Sequence, residues 1–155
     1  MLKQLGIYPK RTVRFTAWMD EEQGAEGALT YAGARKGSSD HVAALECDSG
    51  AGHPVGFHFV GKPDLEERMR PLAQVFESIG ASTVTPPAKL ERMSTPQRQR
   101  RPWIQSTQDS HFYFNYHHTA ADTFDKVDAR ELYENAAVMA VLAFALADSA
   151  DTAPN

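Results

Sequence analysis

Three short clusters in this chain have the residue types that metal-dependent hydrolysis needs. The first is Asp20-Glu21-Glu22, directly after the apolar run Thr12 to Met19. Two adjacent glutamates can divide labour, one ligating a metal ion while the other takes a proton from a bound water. The second is Glu46-Cys47-Asp48, at the end of the run His41 to Cys47. The third is His117-His118-Thr119-Ala120-Ala121-Asp122-Thr123, after the aromatic run His111 to Tyr116. A histidine past a strand end, followed by hydroxyls and a carboxylate, has the make-up of a ligand with supporting hydrogen bonds. Each cluster also has a plain structural reading. Acids favour helix N-termini, Asp before Ser-Gly forms turns, and a His pair on a loop is ordinary polar surface. Taken singly, that reading prevails. Together the clusters put Glu, Asp and His at three strand ends, a donor mixture that suits zinc.

The elements that must position them follow from the hydrophobic pattern. Thr12 to Met19, His41 to Cys47, Val55 to Val60 and His111 to Tyr116 read as strands. Gly24 to Lys36 reads as a helix with a small-residue face at Ala25, Ala28, Leu29 and Ala32, ended by Gly37-Ser38-Ser39. Asp64 caps a second helix to about Ile79, with Leu65, Met69, Leu72, Val75, Phe76 and Ile79 as its stripe. Asp128 caps a third, to about Asp148. Strands alternating with helices predict an α/β fold with a mostly parallel sheet. Ligands in such sheets bind at the carboxyl ends of the strands.

Composition narrows the partners. The chain has 155 residues, 42% hydrophobic and 23% charged, with a formal net charge of -4. That is enough for one cored domain. It gives no global attraction to nucleic acid or to an anionic membrane. No apolar run reaches the roughly 20 residues that span a bilayer; Ala136 to Ala147 reads as a buried helix segment. Met1 to Lys10 has no apolar run of the signal-peptide kind. The single cysteine, Cys47, allows no intrachain disulfide and is expected to be a buried, inert thiol.

Thr85 to Thr107 stands apart. It shows no sustained strand or helix period. Its core, Ala88 to Arg101, sets Lys89, Arg92, Arg98, Arg100 and Arg101 against Glu91 alone. The expectation is an irregular, exposed loop, with a basic patch for an acidic partner as a lower-ranked reading.

Three blocks, KRTVRFTAWMDEEQGAEGALTYA, HVAALECDSGAG and YFNYHHTAADTFDKVD, resemble the zinc aminopeptidase family that includes bacterial leucyl aminopeptidases and plasma glutamate carboxypeptidase, peptidase family M28. The blocks stand in the family's order and near its spacing. The resemblance implies a zinc exopeptidase-like α/β domain with two zinc ions, a metal-bound water as nucleophile, and a peptide or dipeptide as substrate. It implies that Glu21 is the general base, that Glu22 and His118 ligate one zinc, and that Asp48 ligates the other. His117 is not expected to ligate, and Asp122 and Thr123 match a supporting loop.

The family's domain begins well before residue 1, with strands that carry a zinc-binding histidine and a bridging aspartate. The expectation is therefore a partial catalytic domain over residues 1–155, truncated at the N-terminus. Its ligand set would be incomplete and its uncovered sheet edge prone to self-association. A non-catalytic fragment or binding module derived from the family is the alternative. The family also places a glycine-rich segment where residues 88–107 stand. Codons permitted for Leu90 to Pro96, read two nucleotides out of frame, can give Gly-Ala-Asp-Val-Asp-Pro. Codons permitted for Pro96 to Gln105, read one nucleotide out, can give Leu-Asn-Ala-Ser-Gly-Val-Pro-Gly-Phe-Ser. A local frame disturbance is thus a third reading of the stretch.

Overall fold

The structure is a computed structural model that describes residues 2–34, 41–60, 66–67, 69–85 and 103–149. The elements are helix α1 (Glu26–Ala34), strand β1 (Ala44–Glu46), strand β2 (Pro54–Val60), the short helix α2 (Leu72–Val75), strand β3 (Thr83–Thr85), strand β4 (Trp103–Gln108) and the long helix α3 (Ala129–Asp148). The strands form one sheet in the order β1-β4-β2-β3. β1 runs parallel to β4 and β2 parallel to β3, while β2 and β4 are antiparallel. The fold is α/β, with a mixed sheet flanked by helices.

The core lies between the sheet and its helices. Phe57 and Phe59 of β2 and Ile104 of β4 meet Val138, Leu142 and Leu146 of α3, with Met69, Ala73 and Phe76 closing the cluster. Leu142 and Leu146 extend the face begun by Val138 at helical spacing, and α3 packs against β1, β2 and β4. Asp128 caps α3, its carboxylate accepting from the backbone N–H groups of Arg130 and Glu131.

Four expectations change. Trp103 to Thr107, expected in an irregular loop, belongs to β4, which pairs on both sides. Its side chains explain this. Trp103, Ile104, Ser106 and Gln108 are all buried, and the β-branched and aromatic residues suit a pleated surface. Residues 86–102 lie outside the described residues, as do Gly37 to Ser39 and Asp64.

Thr12 to Met19 is no strand. Among the described residues no strand pairs with it, and an extended segment without a ladder leaves its groups to solvent. Phe15 is 94% exposed and Met19 73%. His111 to Tyr116 is a turn containing a 3-10 segment, Tyr113–Asn115. Asp109 starts it: its side chain accepts from His111 N–H at 2.9 Å, an Asx turn that ends the extended chain. The helix expected up to Ile79 is broken at Pro71, which has no N–H to donate. It resumes as α2 and a 3-10 turn, Glu77–Ile79, so Val75 faces solvent while Phe76 is buried.

Candidate metal centre

Each candidate residue sits on a tightly constrained turn. Glu21 and Glu22 open a 3-10 turn, Glu21–Gln23, preceded by Asp20 in the left-handed region at φ 54° and followed by Gly24 at φ 116°. A non-glycine residue at positive φ is uncommon and is held there by its surroundings. Part of that hold comes from α1, since Gly27 N–H donates to the Met19 carbonyl at 3.1 Å. A Cβ on Gly27 would lie 2.8 Å from Met19 N, so only glycine lets the helix approach this closely.

Asp48 follows β1 and leads into Ser49-Gly50. Gly50 is at φ +86°, and a Cβ there would fall 2.7 Å from Tyr113 Cδ2. The loop and the Tyr113 ring are thereby seated on each other. Ser49 Oγ also accepts from Gln105 Nε2 of β4 at 3.2 Å.

His118 is again left-handed, at φ 57°. His117 N–H donates to the Tyr113 carbonyl at 3.0 Å, and the Thr119 hydroxyl donates to the Tyr116 carbonyl at 2.7 Å. Three rings then form a column. Tyr113 stacks on His117 with centroids 4.5 Å apart, and His117 stacks on His118 at 3.8 Å. At the end of the column His118 Nε2 lies 2.8 Å from Glu22 Oε1, although 96 residues separate them.

So the structure brings Glu22 and His118 into contact, with Glu21 beside Glu22 in the same turn. Asp48 bears on the same region: burial raises the pKa of the Tyr113 phenol, and the charges of Asp48, Glu22 and Asp122 raise it further. Tyr113 therefore stays a protonated hydrogen-bond donor in an acidic field. Asp122 and Thr123 close the turn, Asp122 N–H donating to the Thr119 carbonyl and the Thr123 hydroxyl to Asp125.

Cys47 is exposed, not buried as expected. It directly follows β1, where the chain leaves the sheet. Partial desolvation and the neighbouring Asp48 and Glu46 raise its pKa, keeping the thiol protonated and unreactive.

A sequence model of peptidase family M28 matches residues 1–143. The chain belongs to peptidase family M28. Two relatives are Carboxypeptidase Q of Rattus norvegicus, 30% identical, and Carboxypeptidase Q of Homo sapiens, 28% identical; each alignment takes in 99% of this chain and 33% of the relative. The chain thus spans about a third of the length of these curated relatives. A solved M28 structure, a Peptidase M28 precursor from Shewanella amazonensis SB2B, superposes with a TM-score of 0.79 at 29% identity, covering 95% of this chain and 34% of that one.

M28 enzymes are in general metal-dependent, so the pair must be tested as a zinc site. A carboxylate oxygen and an imidazole nitrogen are donors that zinc takes. Two donors sharing a tetrahedral zinc at bond lengths near 2.0 Å stand about 3.3 Å apart, and 2.8 Å is a hydrogen bond. Among the described residues no third His, Cys, Asp or Glu joins them, whereas zinc normally takes three or four protein donors. The pair fits in donor type and falls short in number.

Tyr113, the stacking role of His117 and the seat made by Gly50 were not singled out from the sequence. The available signal was the spacing of Tyr113 and His117, four apart, which aligns rings only if the segment turns.

Proposed function

We propose that this chain carries part of the catalytic site of a zinc exopeptidase that hydrolyses terminal peptide bonds. The observation that carries the reading is the 2.8 Å contact of His118 Nε2 with Glu22 Oε1. In this reading Glu22 and His118 are donors to one zinc and Asp48 is a donor to a second. Among the described residues both donor sets stay incomplete. Zinc, when bound, supplies a Lewis acid that lowers the pKa of a coordinated water. Glu21, exposed beside Glu22, accepts a proton. The His117 and Tyr113 rings hold the His118 imidazole in its orientation toward Glu22.

The shortage of donors favours a second reading, a family-derived domain that binds without catalysing. The exposed apolar segment around Phe15 and Met19 gives it a surface for self-association. Calorimetric titration with zinc tests the first reading. We expect weak binding that Glu22→Gln and His118→Gln each abolish. Binding that survives both substitutions sinks the assignment.

A further inference from the structure

Asn135 stands on the buried face of α3, one turn ahead of Val138 and in line with Leu142 and Leu146. An apolar side chain would complete that face, yet an amide occupies it, and both ends of the amide are used. Asn135 Nδ2 donates to the carbonyls of Gly52 and Glu131, at 2.8 and 2.9 Å. Both acceptors are backbone oxygens, which assigns the orientation of the group. Asn135 Oδ1 accepts from Gln108 Nε2 of β4 at 2.9 Å. The same Gln108 nitrogen lies 2.9 Å from Ser106 Oγ and 3.3 Å from Cys47 Sγ. Ser106 and Gln108 follow Ile104 at alternate positions of β4, so they share the face of the sheet that meets α3.

This network grips one loop at both ends. The loop 47–53 joins β1 to β2. Its first residue, Cys47, touches Gln108, and Gly52, near its end, is held by Asn135. A Cβ on Gly52 would fall 2.2 Å from the Asp109 carbonyl oxygen, so only glycine lets the loop lie this close to the end of β4. His53 is held as well: its carbonyl accepts from Asp109 N–H at 2.7 Å, and its Nδ1 lies 2.8 Å from Glu134 Oε2 of α3. Between the two grips stand Asp48 and Gly50, and Gly50 rests against the Tyr113 ring, where the column that ends at His118 begins.

Stability does not account for the network. With its nitrogen turned toward Asn135, Gln108 keeps Oε1 buried and, among the described residues, without a hydrogen-bond partner. An unmet buried acceptor is destabilising, whereas apolar groups of the same shape at both positions would be neutral or stabilising. What the amides add is direction. A hydrogen bond constrains angle as well as distance, and apolar burial does not.

We propose that Asn135 is a positioning residue: with Gln108 it clamps the loop 47–53 to β4 and α3, and so sets where Asp48 stands relative to the ring column and His118. The proposal rests on the reading of Asp48 as a metal donor. Asn135 acts through the loop backbone, not on the metal.

The test compares the full chain with Asn135→Leu and with the double variant Asn135→Leu/Gln108→Met, by NMR. The double variant replaces both amides with apolar groups of similar size, so its melting temperature should match or exceed that of the unaltered chain. Without metal, proton contacts between Gly50 and the Tyr113 ring should be lost in both variants. Exchange of the Asp109 amide, which is bonded to His53, should rise about tenfold, the worth of one hydrogen bond. The amides between β2 and β4 should keep their protection.

Zinc separates positioning from support of the fold. In the unaltered chain it should shift the Asp48 carboxylate carbon and His118 Nε2. In the variants the affinity read at Asp48 should fall about tenfold, while that read at His118 stays unchanged. Support of the fold alone would move both together or neither. An Asp48 affinity that is unchanged, or that falls in step with His118, overturns the proposal, as do Gly50–Tyr113 contacts that persist. If Asn135→Leu alone does not fold, the double variant carries the test. A double variant that does not fold, or melts far below the unaltered chain, overturns the proposal, because the network is then a requirement of the fold. If zinc shifts neither nucleus in the unaltered chain, the metal reading fails, and the loop contacts alone decide whether Asn135 is the clamp.

Discussion

Ile104→Ala tests the placement of β4 at the centre of the sheet. Ile104 has no exposed surface. It pairs with Leu45 of β1 on one side and Phe59 of β2 on the other. Its side chain belongs to the same cluster as Val138 and Leu142 of α3. Truncation removes three carbons, worth about 2.4 kcal/mol in transfer free energy at about 0.8 kcal/mol each. A fully enclosed site collapses poorly, so a cavity term adds to this, and the total should fall at about 3–4 kcal/mol. Against a domain stability of about 5–15 kcal/mol this is a large fraction. Urea unfolding should show the midpoint falling by more than about 1 M with the slope unchanged. Gln105→Ala, on the opposite face of the strand, is the control and should cost about 1 kcal/mol or less. If Ile104→Ala costs less than about 0.5 kcal/mol, the residue is not enclosed. The segment is then the irregular loop that its sequence context predicts.

Other outcomes follow from the site. Glu22 and His118 are more than half exposed, at 66% and 58% of their side-chain surface. Breaking the pair with Glu22→Gln should change thermal stability by no more than about 1 kcal/mol. Gly50→Ala forces a Cβ to 2.7 Å from the Tyr113 ring at a positive φ; it should lower the melting temperature and disperse the His117 and His118 ring signals in NMR. The Glu134 carboxylate is held below its usual range by the hydrogen bonds it accepts from Arg130 and His53. A depressed folded-state pKa stabilises above the ordinary value of 4.5 and is lost as pH falls through the lowered one. Glu134→Gln should therefore flatten the acid limb of a stability–pH profile and leave its neutral region nearly parallel. With added zinc, the chain on its own should show no measurable aminopeptidase turnover; clear turnover that Glu21→Gln abolishes would contradict the donor count.

Much of the fold was legible because its signals are local. Asp128 ahead of an apolar period defines α3, and the alternation of Val55 to Val60 defines most of β2. The misread strands share one physical cause: a strand is made by its partners. Thr12 to Met19 has the composition of a buried strand, yet no described strand pairs with it. Trp103 to Gln108 sits in a basic, proline-punctuated context and becomes the strand that joins both halves of the sheet. His111 to Tyr116 reads as a strand by composition, but the Asx turn at Asp109 diverts it into the ring column. Pro71 was a visible signal of the break between Asp64 and Ile79, outweighed there by the apolar stripe. At the site, it was the family resemblance that singled out Glu22 and His118, which the structure brings into contact. The column that aims one at the other depends on backbone turns at Asp20 and His118, which sequence does not display.

The central claim is that His118 and Glu22 act as donors to one metal ion, with His117 only stacking beside them. Long-range proton–nitrogen NMR of the histidine rings, recorded while zinc is added, tests it most directly. The account predicts that the His118 Nε2 resonance moves to the metal-bound range, that Glu22→Gln suppresses the movement, and that both His117 nitrogens stay near their starting positions. Movement of His117 with His118 unchanged, or a His118 response indifferent to Glu22→Gln, would contradict it.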